Sequence, residues 1–297
     1  MVNLVLATDS NNLWGLAVTV RSVLEHCSAT CNVYILSVNL KPNEQLDLLN
    51  SWKMPNAGTI EFFPLEESKV APFRTTLFVK SKAAYARLYL DEYLPNLSRC
   101  LYLDTDLIVC SDITELYSTD LMGNITGCVR DISSFNEVQL ARFKDKLGLK
   151  NPSLYFNSGV MLIDLDAWRK NEIGPQAIKV GVEKYDLLDL VDQDILNILL
   201  EDKWLNLDAK WNTAKHDASE NFNDGIIHFL GRVKPWHVDY DDKFKERFFD
   251  ILDRTSYMGK RPANLLGLGA ISKKISRLIP TVEMVQGKVR RMLSYAK

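Results

Sequence analysis

No stretch of 18 apolar residues occurs in the 297-residue sequence, so no helix can be expected to span a bilayer. Neither GxGxxG after a strand nor GxxxxGK(S/T) is present, and Gly267 and Gly269 sit in a late basic segment without a strand before them. A nucleotide, if bound, is not cradled by a Rossmann glycine loop or a P-loop. Cysteine is sparse and odd in number, at five. Cys27 and Cys31 lie four apart, but no second Cys or His pair has zinc spacing, so buried, inert thiols are expected. The opening MVNLVLATDS has no basic segment ahead of an apolar one. A signal peptide is therefore not expected, and the reducing cytosol is the expected compartment.

A large excess of charge is also missing, but the net −2 hides an asymmetry. From Lys260 to Lys297 there are nine basic residues and one acid, Glu283, so this tail is +8 and the body is −10. An acidic body argues against nucleic acid as a partner; a basic tail points to an anionic surface. The hydrophobic share of 46% is enough for a sizeable core.

What is present alternates. Residues 2–8, 32–38 and 59–63 read as strands, and residues 16–25, 42–52 and 82–93 as helices, before CLYLDTDLIV at 100–109 reads as one further buried strand. Strand–helix alternation with short connections predicts an α/β sheet whose first strands are parallel. Asp112 with Glu115 is a plausible helix cap. Residues 124–129, 158–165 and 225–230 read as later strands, and 175–185 and 192–200 as later helices. Without a repeat or low-complexity linker, residues 1–256 read as one domain and 257–297 as a basic tail. In an open α/β sheet ligands bind beyond the carboxyl ends of the strands. Thr8-Asp9-Ser10-Asn11 and Asp104-Thr105-Asp106 are both such ends, and both are expected to line one crevice.

Asp104 and Asp106 sit inside an apolar run. Burying an unpaired carboxylate costs several kcal/mol, so something must neutralise them. In an extended chain residues i and i+2 leave the same face, which suits a hard divalent cation; two hydrated, capping aspartates are the structural alternative. His228, in GIIHFLGRVKPWH, is the best candidate for a further ligand, and an imidazole favours Mn²⁺ over Mg²⁺. Gly231 permits close backbone approach, Lys234 offers a point charge for phosphate, and Trp236 with His237 offers a stacking surface. Asp192-Gln193-Asp194 reads equally as an acidic helix N-terminus or as part of a site.

Taken in order, LVLATDSNN, AAYARLYLDEYLP, CLYLDTDLIV, YFNSGVMLIDLDAWR, DQDILN and HFLGRVKPWH resemble glycosyltransferase family 8, whose members are retaining GT-A enzymes using nucleotide sugars. The resemblance covers about 230 residues. It implies a GT-A fold, a Rossmann-like mixed sheet flanked by helices, and transfer of a hexose, galactose or glucose, from a UDP-sugar. The acceptor it implies is a saccharide or a lipid-linked saccharide. By that similarity Asp104, Asp106 and His228 ligate Mn²⁺, with Mg²⁺ as the alternative, and the metal holds the diphosphate. Ala7, Asp9, Asn11 and Thr105 fall among the nucleotide contacts, with Asp9 and Asn11 at the uracil. Asn157, Asp192 and Gln193 fall where the family binds the transferred sugar, Arg87 where a basic residue contacts the donor sugar and phosphate, and Gly231 and Lys234 where the family contacts the diphosphate. Asp192 and Gln193 are the implied catalytic pair. Gln193 is a poor nucleophile, so same-face attack assisted by the leaving phosphate is favoured over double displacement. The segment 64–82 follows no family pattern, which leaves the acceptor unassigned.

Two other readings use the same residues: a phosphatase of the DxDx(T/V) type and a non-catalytic nucleotide-sugar binder. The phosphatase motif normally ends the first strand, and Ile108 stands where it has Thr or Val. In the tail, Ile271, Ile275, Leu278 and Ile279 share one helical face, and Val282, Val285, Val289, Met292 and Leu293 another, each beside basic residues. Basic amphipathic helices lie in membrane interfaces, so peripheral attachment to anionic lipid is expected; packing on the body or on a second subunit is the alternative.

Overall fold

Both faces of the first strand are apolar because both are covered. In β1 (Val2–Asp9), Leu4 and Leu6 enter one buried cluster while Val5 and Ala7 enter another on the opposite face. The computed structural model describes residues 1–76, 81–131 and 137–262. β2 (Cys31–Val38), β3 (Ala57–Pro64) and β4 (Arg99–Leu103) run parallel to β1 in the order β3-β2-β1-β4. The sheet then turns mixed: β7 (Phe156–Asp164) is antiparallel to β4 and to β6 (Thr126–Arg130), and β8 (Trp204–Asn206) is parallel to β6. A three-stranded sheet joins β5 (Leu107–Val109), β10 (Ile226–His228) and β9 (Thr213–Ala214).

The expected strand 100–109 is therefore two strands in two sheets, with Asp104–Asp106 in the bend between them. Apolar flanks on both sides made it read as one. The break comes from pairing partners far away in sequence: Tyr102 faces Met161, while Ile108 faces Ile227. The helix Leu13–His26 holds β5 from the other side. Thr19 Oγ1 lies 2.9 Å from the Leu107 carbonyl and 3.2 Å from its amide, and Val109 N donates to Ser22 Oγ at 3.0 Å.

Residues 82–93 form a 3₁₀ stretch, Lys82–Tyr89, followed by one α turn, Leu90–Tyr93, rather than one α-helix. Ile173–Glu183 and Val191–Leu200 are helices, as the later pattern predicted. Asp112 Oδ1 accepts from Thr114 N at 2.9 Å, but the N-cap of the short turn Thr114–Tyr117 is Ile113, whose side chain makes no capping bond. All five cysteines are free and buried. Met1–Trp236 and Tyr240–Lys260 form one compact unit, to which His237–Asp239 do not belong. The expected basic amphipathic segments at 270–293 lie outside the described residues. Among the described residues no helix is long and apolar enough to cross a membrane.

Candidate active site

The parallel register of β1 and β4, with Leu4 opposite Leu101 and Val5 opposite Tyr102, brings Asp9 and Asp104 to the same sheet edge. At that edge the Asp104–Asp106 bend is tied down on both sides. Asp104 N donates to Gly159 O at 2.8 Å and Phe229 N donates to Asp106 O at 3.0 Å. Gly15, in the first helix, leaves room for the bend. A Cβ there would lie 2.3 Å from the Thr105 carbonyl oxygen and 2.6 Å from the Trp236 ring. Trp236 also packs against Phe248, with ring centroids 5.6 Å apart, so it is scaffold on that side rather than an open stacking platform.

The two carboxylates are neutralised separately. Arg87 Nη2 donates to Asp104 Oδ1 at 2.5 Å, and Tyr102 OH donates to the same oxygen at 3.3 Å. Lys234 Nζ bonds Asp106 Oδ2, and His228 Nε2 lies 3.3 Å from Asp106 Oδ1. Burial alone would raise the Asp106 carboxyl, but the Lys234 ammonium beside it holds it well below the usual carboxylate range. Asp104, Asp106 and His228 each offer a ligand atom, and these atoms all lie within 4.8 Å of one another. Two hard oxygens and one imidazole are a donor set suited to Mn²⁺, and the space beside them is kept clear. A Cβ on Gly159 would lie 2.4 Å from His228 Cε1 and 2.8 Å from Asp104 Oδ2. The carboxylates thus converge through a bend and two anchored backbones, not through strand alternation.

Arg87 is 4% exposed and joins both sides of the crevice. Its Nη1 donates to Ser158 O at 2.7 Å and Ser158 Oγ at 3.0 Å, its Nε lies 3.1 Å from Asp192 Oδ2, and its guanidinium covers the Tyr102 ring at 4.4 Å. Burial opposes its charge, but Asp104 and Asp192 together hold it above the ordinary guanidinium value. Asp192 goes the other way: burial pushes its carboxyl up to about 6 despite Arg87.

Asp192-Gln193-Asp194 divides its labour. Fully buried Asp194 takes the capping role. Its Oδ2 accepts from Asp189 N at 2.8 Å, Leu190 N at 2.9 Å and Arg142 Nη2 at 2.5 Å. That fixes the entry to the helix Val191–Leu200, where Val191 has a φ of 30°, a left-handed value that β-branched residues avoid. Gln193 is held on both faces of its amide: Nε2 donates to Tyr155 OH at 3.2 Å and Asp131 Oδ2 at 3.3 Å, while Oε1 accepts from Ser158 N at 3.1 Å.

Asp9 accepts from Asn11 N at 2.8 Å and from Ser81 Oγ at 2.6 Å, which closes the turn after β1 and leaves Asn11 exposed. Ala7 is buried under it. Gly231 is exposed with φ of 99°, a conformation that admits glycine, so its demand is conformational. Asn157 Oδ1 accepts from Gly159 N at 2.9 Å and Asn212 Nδ2 at 2.8 Å. The sequence reading passed over Asn212, Ser158, Tyr155 and Gly159 as contributors. FNSG contained two of them, whereas nothing around Trp211-Asn212 marks the asparagine.

Three known proteins bear on this geometry. The chain is 28% identical over 251 residues to the lipopolysaccharide 1,2-glucosyltransferase of Escherichia coli K12, spanning 80% of this chain and 73% of that protein. It is 25% identical over 296 residues to general stress protein A of Bacillus subtilis 168, spanning 92% and 98%. The fold is similar to that of the galactosyltransferase LgtC, solved in complex with donor and acceptor sugar analogs, at a TM-score of 0.76. Identity there is 26%, over 85% of this chain and 96% of that one. The family model for glycosyl transferase family 8 matches residues 3–239, and the chain belongs to that family.

Proposed function

We propose that this glycosyltransferase moves a hexose, galactose or glucose, from a UDP-sugar to a saccharide or lipid-linked saccharide, with Mn²⁺ as cofactor and retention of the α linkage. The observation that carries the reading is the Asp104–Asp106–His228 cluster beside Lys234 at the end of β4. The galactosyl transfer named for LgtC and the glucosyl transfer named for the Escherichia coli relative make galactose and glucose the donors to test.

When bound, a divalent cation supplies positive charge to the departing diphosphate. Asp104, Asp106 and His228 would hold it. Lys234, whose ammonium bonds Asp106 Oδ2 and the Phe229 carbonyl, would supply a point charge to a phosphate oxygen there. Asp9 and Asn11 would receive the uracil, with Ala7 and the Thr105 main chain beside it. Gly231 gives the diphosphate loop its turn. Asn157, Asp192 and Arg87 line the place where the hexose would sit.

Positive charge develops on the sugar ring as its bond to the phosphate lengthens. Asp192 is the buried carboxylate of this cluster able to stabilise that charge, and Arg87 keeps it oriented at 3.1 Å. Gln193 Oε1 is engaged by Ser158 N, which argues against its attack on the anomeric carbon. Same-face attack by the acceptor, with the leaving phosphate taking its proton, needs no protein nucleophile. The tail, on the evidence of its sequence, would hold the enzyme to the cytoplasmic face of an anionic membrane. Slow hydrolysis of a panel of UDP-sugars with and without Mn²⁺ tests the reading without an acceptor. Mn²⁺-dependent release of one hexose is expected, and UDP binding without any turnover across the panel would leave only a nucleotide-sugar binder.

A further inference from the structure

We propose that Asn212 is a positioning residue: it fixes which ring nitrogen of His228 is left free to ligate and couples that choice to Asn157. The inference rests on the cation site proposed above. It follows from the direction of a run of hydrogen bonds, and the direction is set by one group. Gly159 N–H is a backbone donor and has no other orientation. It bonds Asn157 Oδ1 at 2.9 Å, which identifies the oxygen side of that amide. The same oxygen lies 2.8 Å from Asn212 Nδ2, so Asn212 presents its NH₂ there. Asn212 Oδ1 then faces His228 Nδ1 at 2.8 Å and can only accept. His228 carries a proton on Nδ1, and the neutral ring has its lone pair on Nε2, the nitrogen facing Asp106 Oδ1 at 3.3 Å.

Gly159 therefore anchors both arms of the site. Its carbonyl accepts from Asp104 N at 2.8 Å, and its amide starts the run that ends at His228. The fold brings Asn212 there because the 3₁₀ turn Ala209–Asn212 leads directly into β9, which pairs with β10 so that Ala214 stands opposite His228. A ligating histidine whose other nitrogen is held by an acceptor is fixed in ring orientation and tautomer, and loss of such an acceptor typically weakens metal binding roughly 10- to 100-fold. Asn212 differs from a plain acceptor in that its other end holds Asn157, so the cation and the transferred sugar would be sensed through one amide.

The test compares wild type, Asn212→Ala, Asn212→Asp and Asp106→Asn in three measurements. These are Mn²⁺ titration by the EPR signal of the free ion, KM and kcat for UDP-sugar hydrolysis, and thermal unfolding. Asn212→Ala is expected to weaken Mn²⁺ binding roughly 10- to 100-fold at a nearly unchanged melting temperature. Asn212→Asp keeps the acceptor for His228 and cannot donate to Asn157 Oδ1, so it is expected to retain Mn²⁺ affinity and to raise KM for the donor. Equal loss of Mn²⁺ affinity in both variants, in step with melting temperature, would make Asn212 merely structural and overturn the inference. Wild-type Mn²⁺ affinity in Asn212→Ala, beside abolished affinity in Asp106→Asn, would overturn it alone. Absence of Mn²⁺ binding by wild type would overturn it together with the cation reading.

Discussion

Replacing Gly159 by alanine adds one methyl group at the centre of the site, and the structure sets its consequence. Gly159 lies within β7, outside the left-handed region, so only space opposes a side chain. The new Cβ would lie 2.4 Å from His228 Cε1, 2.8 Å from Asp104 Oδ2 and 3.0 Å from Asn157 Oδ1. Ordinary contact begins near 3.4 Å, so the imidazole must retreat by about 1 Å. His228 is 3% exposed and its ring is held by Asn212, so the retreat means repacking. Overpacking of this kind costs about 1–3 kcal/mol, a fall in melting temperature of several degrees. Misplacing a catalytic group by about 1 Å costs roughly 100-fold in rate. Donor hydrolysis is thus expected to fall by roughly two orders of magnitude in a protein that still unfolds cooperatively well above assay temperature. The assay is Mn²⁺-dependent release of hexose from UDP-sugar alongside scanning calorimetry. A Gly159→Ala enzyme with wild-type rate and Mn²⁺ affinity would refute the reasoning, because the clearance of the cradle would then have no bearing on the chemistry.

Asp104→Asn and Asp106→Asn are each expected to lower turnover by several orders of magnitude and to weaken Mn²⁺-dependent UDP binding; near-normal transfer of radiolabelled sugar by both would defeat the assignment. Asp192 predicts a pH effect of known sign. Burial raises its carboxyl from 3.8 to about 6 in the folded protein, so the folded state binds the proton more tightly. Its contribution to stability is full below about pH 4 and is lost as pH rises through 6, on the order of 3 kcal/mol in all. Asp192→Asn removes that loss: melting temperature at pH 8 should rise relative to wild type while donor hydrolysis collapses, and identical pH dependence of melting in the two proteins would contradict the account. Removing residues 261–297 should abolish sedimentation with anionic vesicles and leave donor hydrolysis intact; unchanged sedimentation would place any lipid contact elsewhere.

The sheet's leading half was legible because β1 and β2 carry largely apolar runs, β3 alternates Ile60 and Phe62 with Thr59 and Glu61, and a helix lies between neighbours. The later half was less so. CLYLDTDLIV looks uniform, yet its two halves pair with residues more than 50 and 110 positions away, and no local pattern records a change of partner. Residues 82–93 have the apolar spacing of a helix but tighten to 3₁₀ where Arg87 must reach Asp104, Ser158 and Asp192 at once. At the site, charged residues were easier to find than neutral ones. Asp104, Asp106 and Lys234 stand out against apolar neighbours, whereas Asn212 and Gly159 matter through what their amides touch and through a Cβ that is missing. Asp194, in the same triplet as Asp192 and Gln193 but not among the candidates, bonds the preceding loop, Arg142 and Tyr155.

Crystals of the protein grown with UDP and Mn²⁺, measured at a wavelength where manganese scatters anomalously, ask the central question most directly. The account predicts a strong anomalous peak within bonding distance of Asp104, Asp106 and His228 Nε2. Well-ordered UDP with no such peak among these three side chains would contradict it.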